Sequence, residues 1–575
     1  MSLKKALSRQ MEDIMKKKVN RKIVWLLIVA MTTLLTACGK NTVETSTETT
    51  TNVTTTDTKE ATTTETPTPE ASNKSVNIGV TDTLSSLNPL LEDGTEVVKY
   101  ATSLSYLPLV ELNKDLEFEG QLASSITTED NIHFIINLEE KATWSDGEPV
   151  TSADVLFSFQ RWASPEVGNT GMSIFKIEGV GDDGYVEVGA ETISGVVAID
   201  EKTVEITTKT AMALYAFENT YGRYILPLPA HVLGDVPKED LLTYDWFNAP
   251  TVVSGPYFIK TFDLNHYVSF VGNENYWKGA PKIKNLNINV VTASQLLTGL
   301  QSGEIDLVQQ TMGAVLQEDY ESVRALDNIT VYYGTPITNQ SIFINTANIT
   351  DVRVRQAIQY GIDRQTILSE IMGGKGEIVD AFLASAGPYY DGSLAPTAYD
   401  PEKAKALIKE AVADGWDASK EYSFYVNSGD TTFVQVASYF SAQLAEIGLK
   451  LKVNTVDLST LMSVAGNGEF DVMAVQYTYA PVDPYTDVEW LLAENGWTRY
   501  YKAEITEALA KTQITSDVEE IKAQYLIIDK YVQEEVPMIS AYIISAIGAT
   551  SNRLKNAVPD VYGTFINVQE WDIVE

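Results

Sequence analysis

The chain has 575 residues, 44% of them hydrophobic, with 42 Lys and Arg against 78 Asp and Glu, a formal net charge of −36. This length and apolar content allow a large core divided over two or more domains, and the acidic balance argues against nucleic acid as a partner. Because Cys38 is the only cysteine, the chain forms no internal disulfide and its stability rests on burial.

The N-terminal segment has the order of a secretory signal. Basic Lys16–Lys22 precedes an apolar run, Ile23–Leu35, which is too short to span a bilayer comfortably and ends in small residues before Cys38. The stretch Leu35-Thr36-Ala37-Cys38 resembles a bacterial lipobox. The resemblance implies cleavage before Cys38, its lipidation and attachment to a membrane face through acyl chains. The alternative is an ordinary buried cysteine beside a signal peptide.

Residues 38–75 are predicted to be a disordered tether between this signal and the folded region. Thr and Glu dominate residues 41–74, which contain no aromatic side chain and therefore too little apolar surface to fold. As a flexible coil, the tether would hold the globular part about 30 Å from the anchor.

The folded region begins with strands and a capped helix. Val76–Val80 predicts a short strand, and the apolar residues at every second position of 132–138 predict a strand with one wetter face. Trp144–Val150 contains turn residues, after which Thr151 or Ser152 caps a helix with an acidic residue in its first turn.

This stretch, Trp144–Phe159, resembles the signature of family 5 extracellular solute-binding proteins, the oligopeptide- and dipeptide-binding components of ABC importers. The resemblance implies a two-lobed α/β fold like that of periplasmic binding proteins (type II, cluster C), with an extra subdomain in the first lobe and two hinge crossings. Further segments match in order: Ser254–Tyr257, Asn273–Pro281, Gly303–Asp306, Asp351–Ile358, Tyr399–Ala404 and Glu535–Ile539.

The second half of the chain alternates helices and strands. Strands are predicted at 422–426, 449–456 and 470–477, with a helix at 433–447. Such alternation indicates a mostly parallel or mixed sheet covered by helices, in which ligands bind beyond the carboxyl ends of the strands. Two segments that follow strands are therefore candidate ligand-binding loops: Asn427–Asp430 and Tyr477–Tyr485.

Side chains in and near these loops have the chemistry to bind a small ligand. Aromatic rings offer flat apolar faces with polar tips, a carboxylate accepts from an ammonium or amide, and a guanidinium or helix N-terminus pairs with a carboxylate. For the aromatic residues the alternative is packing in the core, and for the aspartate it is a plain turn. The candidates are Tyr477, Tyr479, Tyr485, Trp497, Asp483, Arg499, Asn427 and Ser428.

The resemblance to peptide-binding members of the family makes this interpretation more specific. Those members carry a Trp, three residues later an Asp that binds the peptide α-ammonium, and then an acidic residue and Pro. Here Tyr477 replaces the Trp, Ala480 stands at the Asp, and Asp483-Pro484 is retained. Asp483 is then the candidate substitute for the missing ammonium ligand. The same alignment places Asp93 and Thr95 along the peptide backbone.

Catalytic and metal-binding patterns are missing from the sequence. His133, His231 and His266 lie far apart, and Tyr485 stands where nickel-importing members have His. There is no Gly-x-Ser-x-Gly elbow and no Walker loop. We therefore predict a protein that is not an enzyme and uses no metal or cofactor. A glycoside hydrolase stays as the enzyme-class alternative, because only spatial separation identifies its carboxylate pair.

The sequence thus predicts a monomeric lipoprotein, held outside the cytoplasm on the bacterial cell membrane, that captures oligopeptides between two lobes and delivers them to ABC permease subunits. The alternative ligand is an oligosaccharide or another non-peptide solute. The predicted divisions are a signal peptide at 1–37, the tether at 38–75, a first lobe at 76–335 with an appended subdomain at about 116–192, a second lobe at 336–535, and a C-terminal return to the first lobe at 536–575.

Overall fold

The computed structural model describes residues 75–574, except 93–94, 170–172, 313–314 and 479. The predicted signal peptide, Cys38 and the tether as far as residue 74 lie outside the described residues, as do two predicted ligand-binding residues, Asp93 and Tyr479. Ser75, predicted as the last residue of the tether, instead begins the first strand. Within the described part of the chain, no helix has both the length and the apolar character needed to cross a membrane.

The strands are short and follow one another along the whole described chain. In order they are β1 (Ser75–Val80), β2 (Val110–Leu112), β3 (Phe118–Gly120), β4 (Ala123–Thr128), β5 (His133–Leu138), β6 (Val196–Ala198), β7 (Thr203–Thr207), β8 (Tyr257–Asp263), β9 (Tyr267–Gly272), β10 (Asn285–Val290), β11 (Leu307–Val308), β12 (Ile329–Tyr333), β13 (Thr338–Ile344), β14 (Glu421–Asn427), β15 (Lys450–Val456), β16 (Val472–Thr478), β17 (Met538–Ile544), β18 (Ile547–Ser551), β19 (Leu554–Lys555) and β20 (Asp572–Ile573).

The longer helices lie in the second half of the chain. The α-helices are α1 (Glu96–Ser103), α2 (Ser152–Trp162), α3 (Leu214–Phe217), α4 (Ala230–Leu233), α5 (Ala293–Ser302), α6 (Tyr320–Arg324), α7 (Val352–Gly361), α8 (Arg364–Thr366), α9 (Pro401–Ala413), α10 (Thr431–Glu446), α11 (Leu458–Asn467), α12 (Tyr485–Leu491), α13 (Ala503–Thr512) and α14 (Val518–Glu535). Short 3₁₀ or π turns occupy Pro89–Leu91, Glu218–Gly222, Lys238–Thr243, Asp245–Asn248, Gln317–Asp319, Ile367–Ile371 and Val568–Glu570.

The larger of the two main sheets has seven strands in the order β12-β18-β11-β1-β10-β9-β8. Its central strand β1 runs parallel to both β10 and β11. Val76, Ile78 and Val80 of β1 are fully buried, so the strand predicted at 76–80 is confirmed. Helix α1 covers this sheet, where Val98 and Tyr100 belong to the same apolar cluster as the β1 side chains.

The second main sheet has five strands in the order β15-β14-β16-β13-β17. Strand β14 runs parallel to β15 and β16, whereas β13 runs antiparallel to β16 and β17. The predicted strands and the helix between them correspond to β14, β15, β16 and α10, and the mixed sheet is confirmed. Asp430 is the N-cap of α10, where its carboxylate accepts the Phe433 N–H at 2.9 Å.

Two short segments connect the two main sheets. Residues 334–337 lead from β12 to β13, and residues 545–546 lead from β17 back to β18. They lie side by side, because the Gly334 N–H donates to the Ala546 carbonyl at 2.9 Å. The two-lobed α/β fold with two crossings is thus confirmed. The predicted return at 536 comes too early, since β17 pairs with β13 and the chain leaves the five-stranded sheet only after Ile544.

A smaller antiparallel sheet, in the order β4-β5-β7-β6, forms an appended part of the first half. Phe134, Ile136 and Leu138 of β5 are buried while the residues between them are not, which confirms the predicted strand with one wetter face. Strands β6 and β7 lie after residue 192. Strand β7 pairs with β5, and β6 pairs with β7, so both belong to this sheet. The predicted end of the appended subdomain at 192 is therefore also too early.

The segment Trp144–Phe159 has a structural role in this fold. The carboxylate of buried Asp154 accepts the Thr151 N–H at 2.8 Å and thereby completes a capping box at the start of α2. It also accepts the Ala230 N–H at 2.9 Å, which ties α2 to α4. The residues that carry the family resemblance here thus stabilise the fold.

Candidate functional site

A cavity of about 830 Å³ lies between the seven-stranded and the five-stranded sheets. Residues at or just past the carboxyl ends of parallel strands line it: Thr81 follows β1, Gln310 follows β11, and Asn427 ends β14. Open α/β sheets bind ligands at this position, and the volume is typical of a small-molecule site. The cavity is therefore the candidate ligand-binding site.

Strands β13 and β16 present polar side chains to the cavity as two cross-strand pairs. Thr338 pairs with Thr478 and Gln340 with Gln476, and all four residues line the cavity. The two threonine hydroxyls are 3.0 Å apart. Because neighbouring side chains of a strand point to opposite faces, Tyr477 between Gln476 and Thr478 packs away from the cavity.

Gln340 is the most deeply buried polar group of this wall. Its side chain is 1% exposed, and its Oε1 has no hydrogen-bond partner among the described residues. An unsatisfied buried acceptor costs about 1–3 kcal/mol. A ligand N–H group placed against Gln340 would therefore remove an existing penalty.

The charged side chains that line the described part of the cavity are acidic: Asp82, Glu96, Glu318 and Asp430. Desolvation by the cavity walls raises the pKa of Asp82 above its usual range. Desolvation also raises the pKa of Asp430, although the Phe433 N–H that it accepts opposes the increase. No basic side chain opposes the increase in pKa at either carboxylate.

Glu96 differs from the other acidic residues because it belongs to a buried ionic network. Its carboxylate lies 3.7 Å from Lys99 Nζ and 3.9 Å from Arg223 Nη2, and it accepts the Tyr224 hydroxyl at 3.1 Å. Lys99 and Arg223 also contact Glu111 at 2.7 and 2.8 Å. Burial raises the pKa of Glu111, but these two cations outweigh it and hold that pKa below its usual value.

Of the predicted ligand-binding residues, Asn427 lines the cavity. Its side-chain oxygen accepts the Gly429 N–H at 3.0 Å, which shapes the turn that leads into α10. Ser428 is exposed and is not among the described lining residues. Thr95 occupies the N-cap position of α1, and it is the next residue, Glu96, that reaches the cavity.

The predicted residues Tyr477, Trp497 and Arg499 lie outside the described cavity lining. The Tyr477 ring packs edge-on against Trp497 at 6.1 Å, and Trp497 is 9% exposed and in contact with Phe343. Arg499 has a positive φ of 51° and donates through Nη2 to the Gly466 carbonyl at 3.3 Å. The described contacts of these three side chains are packing and loop contacts. Packing is the alternative that the sequence left open for the aromatic residues.

Asp483 is buried at 8% exposure in the loop before α12, and it too is outside the described cavity lining. Burial raises the pKa of its carboxyl to about 6, while Lys176 and a hydrogen bond from Asn219 act in the opposite direction. Tyr485 is half-buried nearby; its hydroxyl donates to Glu489 at 3.1 Å, and Lys176 Nζ lies 5.6 Å from its ring. Neither Asp483 nor Tyr485 is among the described lining residues, although the Asp483 N–H donates to the carbonyl of Ala480, which does line the cavity, at 3.2 Å.

Ala480 lines the cavity. The position at which the resembling peptide-binding proteins carry an ammonium-binding Asp is thus at the cavity wall, and here it is apolar.

Sequence reasoning missed Asp82 and Gln340. Asp82 could have been found by applying the rule of strand carboxyl ends to β1. Gln340 could have been found from its place in a strand that opposes a second polar strand.

The three histidines each lie beside an aspartate in the described structure: His133 with Asp130, His231 with Asp146, and His266 with Asp263. Within the described residues, no group of three or more His, Cys, Asp or Glu side chains is arranged to hold a metal ion.

Comparison with known proteins gives consistent results. The chain is 24% identical over 426 residues to the nickel-binding periplasmic protein of Escherichia coli, covering 71% of this chain and 75% of the relative. It is 22% identical over 496 residues to the oligopeptide-binding protein AppA of Bacillus subtilis, covering 82% of this chain and 86% of the relative. The structure of AppA in complex with a nonapeptide superposes with a TM-score of 0.66 at 20% identity, covering 87% of this chain and 99% of that one.

The model of one protein family matches residues 117–499, which is more than half of the chain. This segment includes the appended sheet, the first crossing segment at 334–337 with strand β13, and the cavity-lining residues of β14 and β16. The relatives named above are binding proteins, and the architecture agrees with theirs. The chain therefore belongs to the bacterial extracellular solute-binding proteins, family 5.

Proposed function

We propose that this protein is the substrate-binding lipoprotein of an ABC importer and that it binds oligopeptides in the cavity between its lobes. The observation that carries the proposal is the position of the cavity between the two main sheets. Ala546 of one crossing segment lines it and is hydrogen-bonded to Gly334 of the other. Rotation of the lobes about these segments would close the cavity around a ligand that contacts both.

The polar walls suit a peptide backbone. Thr338, Gln340, Gln476 and Thr478 supply hydroxyl and amide groups that both donate and accept hydrogen bonds, as the N–H and C=O groups of a peptide require. The similarity to AppA, which is named as an oligopeptide-binding protein, supports the same ligand class.

A peptide α-ammonium needs an acceptor that this chain does not supply at residue 480. Under the proposal, the cavity carboxylates, with Asp82 and Asp430 the least compensated, take that role, and Asp483 does not. Ala480→Asp would place a carboxylate at the cavity wall, and we expect it to strengthen binding of peptides with a free N-terminus. The matched control is Ala413→Asp, which adds the same charge at an exposed position of α9.

The test is thermal unfolding of the secreted protein with random tri- to octapeptides, compared with a panel of oligosaccharides. A ligand at 100 times its dissociation constant stabilises the folded state by about 2.7 kcal/mol, which is a measurable shift. We expect peptides to stabilise the protein and N-acetylated peptides to stabilise it less. The difference between free and N-acetylated peptides should be larger in Ala480→Asp than in the wild type, and unchanged in Ala413→Asp. Stabilisation by sugars alone would overturn the peptide assignment.

The second candidate function is binding of a non-peptide solute by the same cavity. Ala480 favours it, because the usual ammonium anchor is absent from the cavity wall. An oligosaccharide has less support than it had from the sequence, since Tyr477 and Trp497 pack against each other outside the described lining. Release of reducing sugar from an oligosaccharide of the same panel would instead support the enzyme-class alternative.

We further propose that Cys38 carries the lipid and that residues 38–74 form the tether. The supporting observation is the lipobox-like sequence Leu35-Thr36-Ala37-Cys38, which follows an apolar run. In this arrangement 75–333 and 547–574 form one lobe and 338–544 the other. Cys38→Ser is expected to release the protein from the membrane fraction and to abolish its labelling by a fatty-acid analogue, whereas Ser46→Ala in the tether is expected to change neither.

A further inference from the structure

The described walls of the cavity carry one sign of charge. Asp82 and Glu318 line it from the side of the seven-stranded sheet and Asp430 from the side of the five-stranded sheet. Among the lining residues that the structure describes there is no Lys, Arg or His. The charge of Glu96 is balanced by Lys99 and Arg223, so the excess negative charge comes from the other three carboxylates.

The pKa shifts agree with this arrangement. Partial desolvation raises the pKa of both Asp82, which is exposed, and Asp430, which is half-buried, and no basic side chain opposes the increase at either group. Asp430 keeps one contact, the Phe433 N–H at the start of α10, so its charge already occupies the positive end of that helix. The helix N-terminus is therefore occupied by the protein's own carboxylate and is a poor place for a ligand anion.

A second, independent observation comes from an uncharged residue. Gln340 is 1% exposed, lines the cavity, and has an Oε1 acceptor with no hydrogen-bond partner among the described residues. Its cross-strand neighbour is Gln476, which also lines the cavity. An N–H or O–H group of a ligand would satisfy this buried acceptor.

We propose that this cavity selects positively charged oligopeptides, in which a lysine or arginine side chain lies between the acidic walls and donates to Gln340. The inference rests on the proposed peptide-binding function and adds to it the charge of the ligand. A lysine ammonium has three donors and an arginine guanidinium five, enough to reach a carboxylate and an amide oxygen together.

The same arrangement couples cation binding to closure. Carboxylates on facing walls repel each other when the cavity closes empty, and this repulsion grows as water is excluded. A cation between them replaces repulsion by attraction on both sides. A neutral or acidic side chain in the same place gives no such gain, so the closed form is selected by cationic ligands.

The experiment is isothermal titration of the secreted protein, at low ionic strength, with three peptides of one length and N-acetylated, C-amidated ends. They carry Lys, acetyl-lysine or Glu at one central position among neutral residues, so that the side-chain charge is the variable. We expect the Lys peptide to bind at least about tenfold tighter than the acetyl-lysine peptide, and the Glu peptide to bind weakest. The Lys preference should shrink when salt is added.

Variants then test the residues. Glu318→Gln and Asp430→Asn should each weaken binding of the Lys peptide about fivefold and leave binding of the acetyl-lysine peptide unchanged. Asn keeps the N-cap of α10, so Asp430→Asn should retain the fold. Gln340→Leu should weaken binding of every peptide that donates a hydrogen bond to the Gln340 side chain. The matched control is Glu410→Gln, on the exposed face of α9, which removes the same charge from a place outside the described lining.

The outcomes separate the inference from the function on which it rests. Equal binding of the three peptides, or tighter binding of the Glu peptide, would overturn the charge preference while leaving peptide binding intact. An equal loss in Glu410→Gln would also overturn it, because the effect would then come from net charge alone. Spermidine, a cation without peptide groups, is titrated as a fourth ligand. Its binding without binding of any peptide would overturn the proposed function and this inference together.

Discussion

Replacing Asp483 by Asn is expected to stabilise the protein in mildly alkaline solution and to have little effect in acid. Burial, together with the nearby carboxylate of Asp487 and only partly opposed by Lys176, raises the pKa of this carboxyl from 3.8 to about 6. The folded state therefore binds the Asp483 proton more tightly than the unfolded state does. Below pH 3.8 the carboxyl is protonated in both the folded and the unfolded state, and it then has no effect on the free energy of unfolding. Above about pH 6 the ionised carboxylate destabilises the folded state.

The magnitude follows from the two pKa values. Each pH unit between them corresponds to about 1.4 kcal/mol, so ionised Asp483 costs the folded protein about 3 kcal/mol near pH 8. At about pH 4 the cost falls below about 1 kcal/mol, because Asp483 is protonated in the folded state and half protonated in the unfolded state. Asn has nearly the shape of the protonated carboxyl and should preserve the packing around it.

The assay is urea unfolding of wild type and Asp483→Asn at about pH 4 and about pH 8, with the difference in free energy of unfolding taken at each pH. Other titrating groups are common to both proteins and cancel in that difference. Asp182→Asn, at a fully exposed side chain, is the matched control and should give the same small difference at both pH values. An equal increase in the free energy of unfolding at both pH values for Asp483→Asn, or a decrease near pH 8, would refute the reasoning.

Three further substitutions test the packing. Gly334→Ala would put a Cβ 2.8 Å from Val561 Cγ2 at the crossing segment, and we expect a loss of about 1–3 kcal/mol in urea unfolding; an unchanged midpoint would contradict the close packing. Gly466→Ala meets nothing within 4 Å inside α11 and should stabilise by about 0.5–1 kcal/mol, so destabilisation there would contradict the open surroundings. Arg364→Met would leave Asp380, its buried partner at 2.7 Å, unpaired and should cost about 3–5 kcal/mol. Adding Asp380→Asn should recover part of that loss, and no recovery would mean that the ion pair is not its cause.

Local structure followed from the sequence where the determining contacts are close along the chain. Asp430 caps α10 by accepting the N–H of the residue three positions later, and Asp154 in the first turn of α2 accepts the N–H of Thr151, three positions earlier. The alternation in β5 is likewise a property of successive residues. Such signals depend only on backbone geometry and one buried face, so the elements and the mixed α/β class were predictable.

The boundaries between sheets were less predictable. Strand β17 is buried throughout and mostly apolar, so its composition fits either main sheet, yet it pairs with β13. Strands β6 and β7 lie after a long loop and still pair in the sheet that contains β5. Pairing between distant segments depends on which edge is free in three dimensions, and a single sequence does not encode that choice locally.

For the candidate site, the sequence by itself determined the family and the loop at Asn427. It also showed that Ala480 stands where the resembling peptide-binding proteins carry an aspartate. Only the tertiary structure decided which side chains share the cavity. Tyr477 and Asp483 have suitable chemistry but are turned into packed surroundings, whereas Gln340 and Asp82, which looked ordinary in sequence, face the cavity from opposite sheets. The physical reason is that the direction of a side chain is set by strand pairing and lobe packing, which bring together residues hundreds of positions apart.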